Sequence, residues 1–283
     1  PSRFRGYPVH MRVASLTCSN TEIVCALGMS HVLVAVDDHS DHPEEVVSKL
    51  PRLGPDLSID VDALEELQPD ITLASLTVPG HEKVVEEIRA KGLEYMAPDP
   101  RCIGDIYRDI RDISKALGVS SRGEALIQWM QRGLETSPVD HEESLTDTAV
   151  TDKAVKELAP VLVEWWPKPV FIPARHSWIN EMLHIAGGVN PWKDAPGHSM
   201  EVETESVLAH NPEVVIISWC GVDPAKYNPE KVIQRNGWAE VRAVRDRSVF
   251  CVAESYLGRP GPRIVEGVRR LRIAIRAARR GSS

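Results

Sequence analysis

The stretch "LEELQPDITLAS" (residues 64–75) decides the fold, because it returns in altered form as "VLAHNPEVVIIS" (residues 207–218). Each copy reads as the end of an amphipathic helix, a turn and a buried strand. The prolines of the two turns, Pro69 and Pro212, each lie six residues ahead of a serine. A unit that occurs once in each half of the chain predicts two similar α/β lobes. The alternative is chance similarity between two helix–strand units.

Short strands alternate with helices on both sides of these copies. Ahead of the first copy, "RVASL" and "VLVAV" read as β-branched strands. The segment between them, "SNTEIVCALG", reads as a helix that ends at a glycine, with Ser19 and Glu22 in capping-box spacing. In the second half, "SWINEMLHIAGG" repeats this helix from serine to glycine. Alternating strands and helices predict parallel sheets that are covered on both faces.

We therefore divide the chain into an N-terminal α/β lobe (residues 11–119), a helical connector (120–159) and a C-terminal α/β lobe (160–283). The first part of the connector, "SRGEALIQWMQRGLE", has apolar residues on one helical face. Its second part is polar and acidic, and Pro138 interrupts any single continuous helix there. The connector is expected to be one long helix or two broken ones.

The bulk composition limits the classes of partner. The net charge of −8 gives no sign of a nucleic-acid or anionic-membrane partner, and no apolar run is long enough for a membrane-spanning helix. The five cysteines form no CxxC motif and are expected to be small buried hydrophobes.

Localisation stays open. The protein is periplasmic or on the cell surface if the chain is a processed exported form, and cytoplasmic if Met11 or a nearby upstream residue is the true start.

Common catalytic motifs are absent, which favours a protein that is not an enzyme. The segment "DDHSDHP" (residues 37–43) nevertheless has two histidines and three carboxylates directly after a strand, where open α/β sheets place their ligands. It reads as a metal site, as the rim of another pocket, or as a solvated turn in which Asp41 or His42 caps the next helix. A metal site would need a distant ligand, and the candidates are His81, His176 and His198.

Aromatic and arginine side chains mark two further loops after predicted strands, "EWWPKPVFIPARHSW" (residues 164–178) and "ESYLGRPGPR" (residues 254–263). Such residues suit a large, flat or apolar ligand whose polar edge an arginine or histidine orients. One of Trp165 and Trp166 is expected to pack into the core. The candidate ligand-binding residues of the two loops are Trp166, Phe171, Arg175, Trp178, Tyr256 and Arg259.

Taken together, these stretches resemble the helical-backbone (class III) substrate-binding proteins of ABC importers, especially the vitamin B12- and siderophore-binding branch. The resemblance covers Arg12 to about Leu271. It rests on an ordered set of segments: "SNTEIVCALG", "SDHPEEV", "LQPDITLAS", "EWWPKPVF", "NEMLHIAGGVN", "NPEVVIIS" and "RPGPRIVEG". It implies two Rossmann-like α/β lobes with parallel-type sheets, joined by a long helical connector, with a ligand cleft between the lobes.

The resemblance also implies a function without catalysis. The family captures corrinoids such as cobalamin, haem, ferric siderophores or metal ions and delivers them to an ABC permease. Carried over to this chain, a corrinoid cleft would use His42 (a tyrosine in a B12-binding member), Phe171 and Arg259. The tryptophans that flank the corrin ring in that member fall at Ser75 and near Ser199, so the ligand is left open. The remaining predicted ligand-binding residues are Ser19, Asn20, His39, Trp166, Arg175, Trp178 and Tyr256.

The resemblance places a permease-docking glutamate in each lobe, at Glu82 and Glu205. The alternative is that both are ordinary first-turn acids favoured by the helix dipole. Two other functions stay open for the whole chain. One is a cytoplasmic module that handles or senses corrinoids. The other is a metal-ion-binding protein or metalloenzyme that uses residues 37–42, with His39 and His42 as metal ligands.

Overall fold

The computed structural model describes residues 11–135 and 157–281, and the chain divides into two compact units. The first unit comprises residues 1–100 and 104–128, and the second comprises residues 101–103 and 129–283. The three-part division made from the sequence and the cleft between the lobes stay predictions. Pro138 and the acidic part of the proposed connector, up to residue 156, lie outside the described residues.

The elements up to residue 135 alternate as the sequence predicts. The strands are β1 (Val13–Ser15), β2 (Leu33–Val36), β3 (Ile71–Leu73) and β4 (Tyr95–Met96). The helices are α1 (Cys18–Ala26), α2 (Glu44–Val47), α3 (Val61–Glu66), α4 (His81–Ala90), α5 (Ile103–Ala116) and α6 (Ser120–Glu135).

The elements from residue 157 onwards include more strands than were predicted. The strands are β5 (Ala159–Glu164), β6 (Trp166–Pro167), β7 (Val170–Pro173), β8 (Gly188–Val189), β9 (Ser199–Glu201), β10 (Val214–Ile217) and β11 (Val249–Cys251). The helices are α7 (Ile179–Ala186), α8 (Thr204–His210), α9 (Glu230–Ile233), α10 (Arg242–Arg245), α11 (Glu254–Leu257) and α12 (Ile264–Gly281).

Each unit contains a four-stranded parallel sheet, and the two sheets have the same topology. The strand order is β2-β1-β3-β4 in the first unit and β11-β10-β5-β8 in the second. In both, the first strand lies between the second and the third, and the fourth strand pairs with the third. The strands of both repeated segments, β3 and β10, occupy the third position. The prediction of two similar α/β lobes with parallel sheets is confirmed.

The turns of the two repeated segments also match in backbone geometry. Gln68 and Asn211, the residues before the two prolines, have positive φ angles of 46° and 43°. A proline disfavours the right-handed helical conformation for the residue before it, so the helix ends there. The residues after the prolines, Asp70 and Glu213, each donate their N–H to a carbonyl at the start of the first strand of their sheet, at 2.8 and 2.9 Å. The sequence repeat is thus a structural repeat.

The capping box predicted for Ser19 and Glu22 is wrong. Helix α1 begins one residue earlier, at Cys18, and Thr17 is its N-cap in extended conformation. Ser19 and Glu22 therefore lie inside the helix, where both are buried. The end of the helix is as predicted, since Gly28 has a φ of +69° that suits a glycine after a C-cap.

The second unit also contains a three-stranded antiparallel sheet that the sequence did not predict, with strand order β6-β7-β9. The expectation that Trp165 or Trp166 packs into the core is also wrong, because Trp165 is half-buried and Trp166 is 45% exposed. The reason is that β5 ends at Glu164, which is fully buried, and the chain then turns into the short strand β6.

Candidate functional site

In the first unit, residues 37–42 follow β2 at the carboxyl edge of the sheet, and Asp37 organises this loop. Asp37 is fully buried, and its two carboxylate oxygens accept the backbone N–H of His39, at 2.9 Å, and the hydroxyl of Ser40. Arg52 donates from Nη1 to the carbonyls of Asp37 and Ser40, both at 2.7 Å. Burial raises the pKa of Asp37, against the effect of these hydrogen bonds. Asp37 therefore holds the loop in shape.

The two histidines of this loop lie at the surface. His42 is exposed, and the side chain of His39 is 51% exposed with its Nε2 3.8 Å from Oδ1 of Asp56. The Nε2 of buried His81 lies 3.2 Å from the other oxygen of Asp56. Partial burial alone would raise the pKa of Asp56, but the hydrogen bond and charge of His81 and the charge of His39 lower it. The structure thus brings His39 and His81 together on one carboxylate.

Within residues 11–135 and 157–281, no group of three or more histidine, cysteine or acidic side chains could hold a metal ion. Both ring nitrogens of His81 have polar neighbours, since the N–H of Val78 lies 3.4 Å from Nδ1 and an oxygen of Asp56 lies 3.2 Å from Nε2. A metal role for His39 and His42 stays a prediction.

Ser19 and Asn20 lie in the first turn of α1 and are buried. The Nδ2 of Asn20 donates to the carbonyl of Ala74 at 2.7 Å, which ties α1 to the carboxyl end of β3. Ser75, where the resemblance places a stacking tryptophan, is 5% exposed and its hydroxyl hydrogen-bonds that of Thr77 at 2.9 Å. Asn20 shapes this edge of the sheet, and direct ligand contact by Ser19 and Asn20 stays a prediction.

In the second unit, the antiparallel sheet carries an aromatic pair. Trp166 on β6 lies directly opposite Phe171 on β7. Side chains at directly opposite positions stand on the same face of a sheet, about 5 Å apart at Cβ. The indole Nε1 of Trp166 donates to the carbonyl of Lys168 at 3.2 Å, while 45% of the residue remains exposed. The pair is thus an aromatic surface that is exposed at Trp166 and half-buried at Phe171, and its contact with a ligand stays a prediction.

Arg175 and Trp178, which follow the same strands, differ in accessibility. Arg175 is exposed, and its Nη2 donates to the carbonyl of Asp194 at 2.7 Å. Trp178 is only 7% exposed, and its Nε1 donates to the carbonyl of Leu257 at 2.8 Å. Trp178 therefore anchors the start of α7 inside the second unit. Contact of Trp178 with a ligand stays a prediction, and only a small part of its surface is exposed for such a contact.

Tyr256 and Arg259 lie in and directly after α11. The ring centroid of Tyr256 lies 4.3 Å from the guanidinium carbon of Arg270 and 5.2 Å from that of Arg263. Such cation–π contacts hold the ring in place. Arg259 is mostly buried, and its Nε lies 3.3 Å from a carboxylate oxygen of Glu254. The charge of Arg259 is therefore balanced inside the second unit.

A buried charge network at the end of β5 was not foreseen from the sequence. Glu164 is fully buried and accepts two hydrogen bonds from the guanidinium of Arg235, at 2.6 and 2.9 Å. It also accepts the indole N–H of Trp219 at 2.8 Å, and the guanidinium of Arg235 stacks 4.3 Å from the ring centroid of Trp238. The only available signal was a glutamate that ends an apolar strand. The network fixes the loops at the carboxyl edge of this sheet.

The two glutamates predicted to dock a permease are exposed first-turn residues. Glu82 lies in the first turn of α4, and Glu205 lies in the first turn of α8. An oxygen of Glu82 accepts the N–H of Gly80 at 2.8 Å, and backbone hydrogen bonds lower the pKa of this carboxyl group. Glu82 is therefore ionised at neutral pH, as an electrostatic docking contact requires. Both docking roles stay predictions.

A cavity of about 360 Å³ opens in the first unit beside β4 and α5, and Asp109 lines it. Burial raises the pKa of Asp109 to about 7; Arg108 opposes the rise, and Asp105, Asp112 and Asp99 add to it. The pKa of an aspartate in the unfolded chain is about 4. Between about pH 4 and pH 7, Asp109 therefore holds a proton in the native state that it loses in the unfolded state. The contribution of Asp109 to stability is therefore lost as the pH rises from about 4 to about 7.

We expect Asp109→Asn to remove this pH dependence. Between pH 4 and pH 8, the free energy of unfolding of the variant should fall by about 1 kcal/mol less than that of the wild type. This value allows for solvent screening, because Asp109 is partly exposed. Urea unfolding of both proteins at several pH values measures this difference. Parallel curves for the two proteins would show that Asp109 ionises normally.

Two parallel α/β sheets of the same topology, with polar and aromatic residues in the loops after their strands, define the class of two-lobed ligand-binding proteins. The sequence agrees with this class, because the family model described as "Periplasmic binding protein" matches residues 13–256. The chain belongs to this family.

Curated relatives place the chain among transport proteins. It is 27% identical over 263 residues to an ABC transporter substrate-binding lipoprotein of Bacillus subtilis, YvrC, covering 92% of this chain and 78% of the relative. It is 25% identical over 257 residues to the vitamin B12-binding protein of Vibrio cholerae, covering 91% of this chain and 86% of the relative.

Solved structures share the fold. The haem-binding protein RhuT of Roseiflexus superposes with a TM-score of 0.76 at 25% identity, covering 95% of this chain and 99% of that one. The vitamin B12-binding protein BtuF of Vibrio cholerae superposes with a TM-score of 0.72 at 22% identity, covering 95% and 97%.

Together, the family and the relatives make this chain a substrate-binding protein of the ABC-importer type. A protein of this type binds a small molecule and has a permease as its partner. In the described parts of the chain, no helix has the length and apolar character needed to cross a membrane.

Proposed function

We propose that this protein captures a metal-chelate ligand, namely a corrinoid, haem or a ferric siderophore, and delivers it to an ABC permease without catalysing a reaction. The names of its relatives and structural neighbours support the ligand class. Vitamin B12-binding and haem-binding proteins are among them, and so is a structure from an Fe³⁺-hydroxamate transport system of Saccharomonospora viridis, which shares the fold.

The aromatic pair of the second unit is the observation that carries this proposal. Trp166 and Phe171 stand on one face of an antiparallel ribbon, and Trp166 keeps 45% of its surface exposed although its N–H is already hydrogen-bonded. An exposed, ordered indole ring offers flat apolar area that a hydrated ion cannot use. A planar or apolar ligand gains from that area.

Arg175 supports recognition of the polar edge of such a ligand. Its side chain is exposed, and the hydrogen bond from Nη2 to Asp194 holds the guanidinium in one place. The other N–H groups of the guanidinium can meet carboxylate, phosphate or amide oxygens, which a fixed fork of donors recognises well. Corrinoids, haem and many siderophores carry such oxygens at their periphery.

The proposal is tested by equilibrium binding and native mass spectrometry with purified protein. The ligands are cobalamin, cobinamide, hemin and a panel of ferric siderophores, and we expect at least one to bind with a Kd below about 10 μM, which is about −7 kcal/mol. Zn²⁺ and Mn²⁺ serve as the rival ligands. If only a free divalent ion binds, the chelate proposal is wrong.

Once a chelate is found, Trp166→Ala should weaken its binding about tenfold. About half of the indole surface is already covered in the free protein, so the lost apolar burial is about 1–1.5 kcal/mol. Isothermal titration calorimetry measures the change. Trp129→Ala is the matched control, because Trp129 on α6 is 50% exposed and no ligand role is assigned to it. Equal loss in both variants would contradict a specific role for Trp166.

We also propose that Glu82 and Glu205 dock the permease. Glu82→Ala and Glu205→Ala should each lower ligand uptake by the reconstituted importer several-fold and leave the ligand Kd unchanged, because both residues are exposed helix-end charges. Glu86→Ala, an exposed position on the same helix as Glu82, is the control. Unchanged uptake in the double variant Glu82→Ala/Glu205→Ala would show that the two glutamates are only first-turn acids.

A further inference from the structure

Six large apolar side chains remain between 38% and 50% exposed in residues 11–135 and 157–281. They are Leu57, Val78, Trp129, Trp166, Leu208 and Ile273. Exposed apolar side chains that are scattered singly are normal on a protein surface, but neighbouring ones rimmed by polar groups mark interaction sites. Three of the six lie beside the two glutamates that are proposed to dock the permease.

Leu57 lies against the start of α4. A Cβ at Gly80, the N-cap residue of this helix, would lie 3.1 Å from Cδ2 of Leu57. The N–H of Gly80 donates to a carboxylate oxygen of Glu82 at 2.8 Å. Gly80 is thus a neighbour of both side chains, so an exposed apolar group and an exposed charge stand next to each other.

Val78 belongs to the turn that leads into α4. Its carbonyl accepts the N–H of His81 at 3.1 Å, and its own N–H lies 3.4 Å from Nδ1 of His81. These contacts fold the chain back on itself directly before Glu82. We call the surface formed by Leu57, Val78 and Glu82 the docking patch.

The two turns that form the docking patch are held together. The turn that carries Leu57 is closed by the N–H of Ser58, which donates to the carbonyl of Pro55 at 2.7 Å. Oδ2 of Asp56, in the same turn, lies 3.2 Å from Nε2 of buried His81 at the start of α4. Because the patch is already fixed in the free protein, a partner loses little binding energy to ordering it.

We infer that the docking patch contacts the permease as one unit. The partner group that fits it is an arginine of the permease, whose aliphatic stem lies across Leu57 and Val78 while its guanidinium pairs with Glu82. The apolar neighbours keep water away from this ion pair, which strengthens it. The inference rests on the proposed docking function and deepens it, by naming the apolar contacts and the chemistry of the partner group.

The second unit has the same combination on α8. Glu205 and Leu208 are three positions apart on this helix, so their side chains are neighbours on one face. The combination is not a by-product of the internal repeat, because Leu208 aligns with Glu65 in the repeated segments and not with Leu57. Each unit has therefore acquired an exposed leucine beside its glutamate independently.

The test measures the Kd of ligand-free protein for the purified importer in lipid nanodiscs. Ligand-free protein makes the result independent of which chelate is bound. The variants are Leu57→Ala/Val78→Ala, Glu82→Ala and the triple variant that combines them. Ile273→Ala is the matched control, because Ile273 on α12 is similarly exposed and has no docking role. Empty nanodiscs and sedimentation of the protein alone test a lipid surface and a second copy of the chain as occupants. Urea unfolding confirms that each variant is folded.

We expect Leu57→Ala/Val78→Ala to weaken binding to the importer about tenfold through lost apolar burial, and Ile273→Ala to match wild type. Glu82→Ala should weaken binding several-fold in the wild-type background and less when Leu57 and Val78 are already alanine. Side chains that act on one partner group are coupled in this way, whereas independent ones are additive. Leu208→Ala should weaken binding about threefold, since only one side chain is lost.

If Glu82→Ala weakens binding but Leu57→Ala/Val78→Ala does not, the inference is overturned and docking by the glutamates stands. If wild type does not bind the importer, or no variant differs from it, the inference and the docking proposal are both wrong. Binding of wild type to empty nanodiscs, or self-association, that Leu57→Ala/Val78→Ala abolishes would assign the patch to lipid or to a second copy and also overturn the inference. None of these outcomes bears on the chelate proposal, which has its own test.

Discussion

Arg235→Ala should lower the free energy of unfolding of the second unit by about 3–5 kcal/mol. The reason is the carboxylate that the substitution leaves behind. Glu164 is fully buried, and Arg235 supplies two of its hydrogen bonds, at 2.6 and 2.9 Å. Without them the charge must be buried with only the indole N–H of Trp219 as a partner, or the carboxyl group must take up a proton. The lost contact between Arg235 and the Trp238 ring adds a smaller cost.

Urea unfolding followed by tryptophan fluorescence measures this effect, with Arg269→Ala as the control in the same unit. Arg269 also pairs with a glutamate through two hydrogen bonds, but this pair lies on α12 and is partly exposed, so its loss should cost under about 1 kcal/mol. Glu164→Gln should partly rescue Arg235→Ala, because an amide is cheaper to bury than a charge. Equal losses for Arg235→Ala and Arg269→Ala would mean that the buried pair contributes no more than a surface pair.

Gly267→Ala should be the second most damaging change, at about 2 kcal/mol. A Cβ at Gly267 would lie 2.2 Å from the backbone oxygen of Tyr256, 2.7 Å from Cε of Met182 and 3.1 Å from Cδ2 of Leu257. Because the nearest atom is backbone, α12 and α11 would have to move apart. The overpacking cost of about 3 kcal/mol is offset by about 1 kcal/mol from the higher helix propensity of alanine.

Gly281→Ala is the matched control for this change, because it places the same side chain at the other end of α12 with no atom within 4 Å. It should leave the free energy of unfolding within about 0.5 kcal/mol of wild type, or raise it slightly. Because the displaced atom belongs to Tyr256, near-ultraviolet circular dichroism should also change in Gly267→Ala. A variant as stable as wild type would show that the two helices can separate at no cost.

The sequence alone was sufficient to predict two similar α/β lobes with parallel sheets, but not the antiparallel sheet β6-β7-β9 of the second unit. Hydrophobic periodicity distinguishes strands from helices, and the repeated segments at residues 64–75 and 207–218 indicated a duplicated plan. Both features depend on local rules. Apolar residues must face a core, which sets the periodicity, and the proline of each repeated segment ends the helix before it. The structure confirms the duplication in strand order and in the turns at Gln68 and Asn211. Helix α1 shows the limit of local rules, since it begins at Cys18 with Thr17 as its N-cap, and the capping-box spacing of Ser19 and Glu22 does not mark its start.

The contacts inside the candidate site were decided only by the tertiary structure. Glu164 and Arg235 are 71 residues apart, and His39 and His81 meet only because Asp56 lies between them. The ring centroids of His176 and His198 lie 6.0 Å apart because β7 pairs with β9 in the antiparallel sheet, which the sequence did not predict. Such pairings are made by backbone hydrogen bonds that every residue type can form. A sequence therefore shows which residues are available to a site, and folding selects which of them meet.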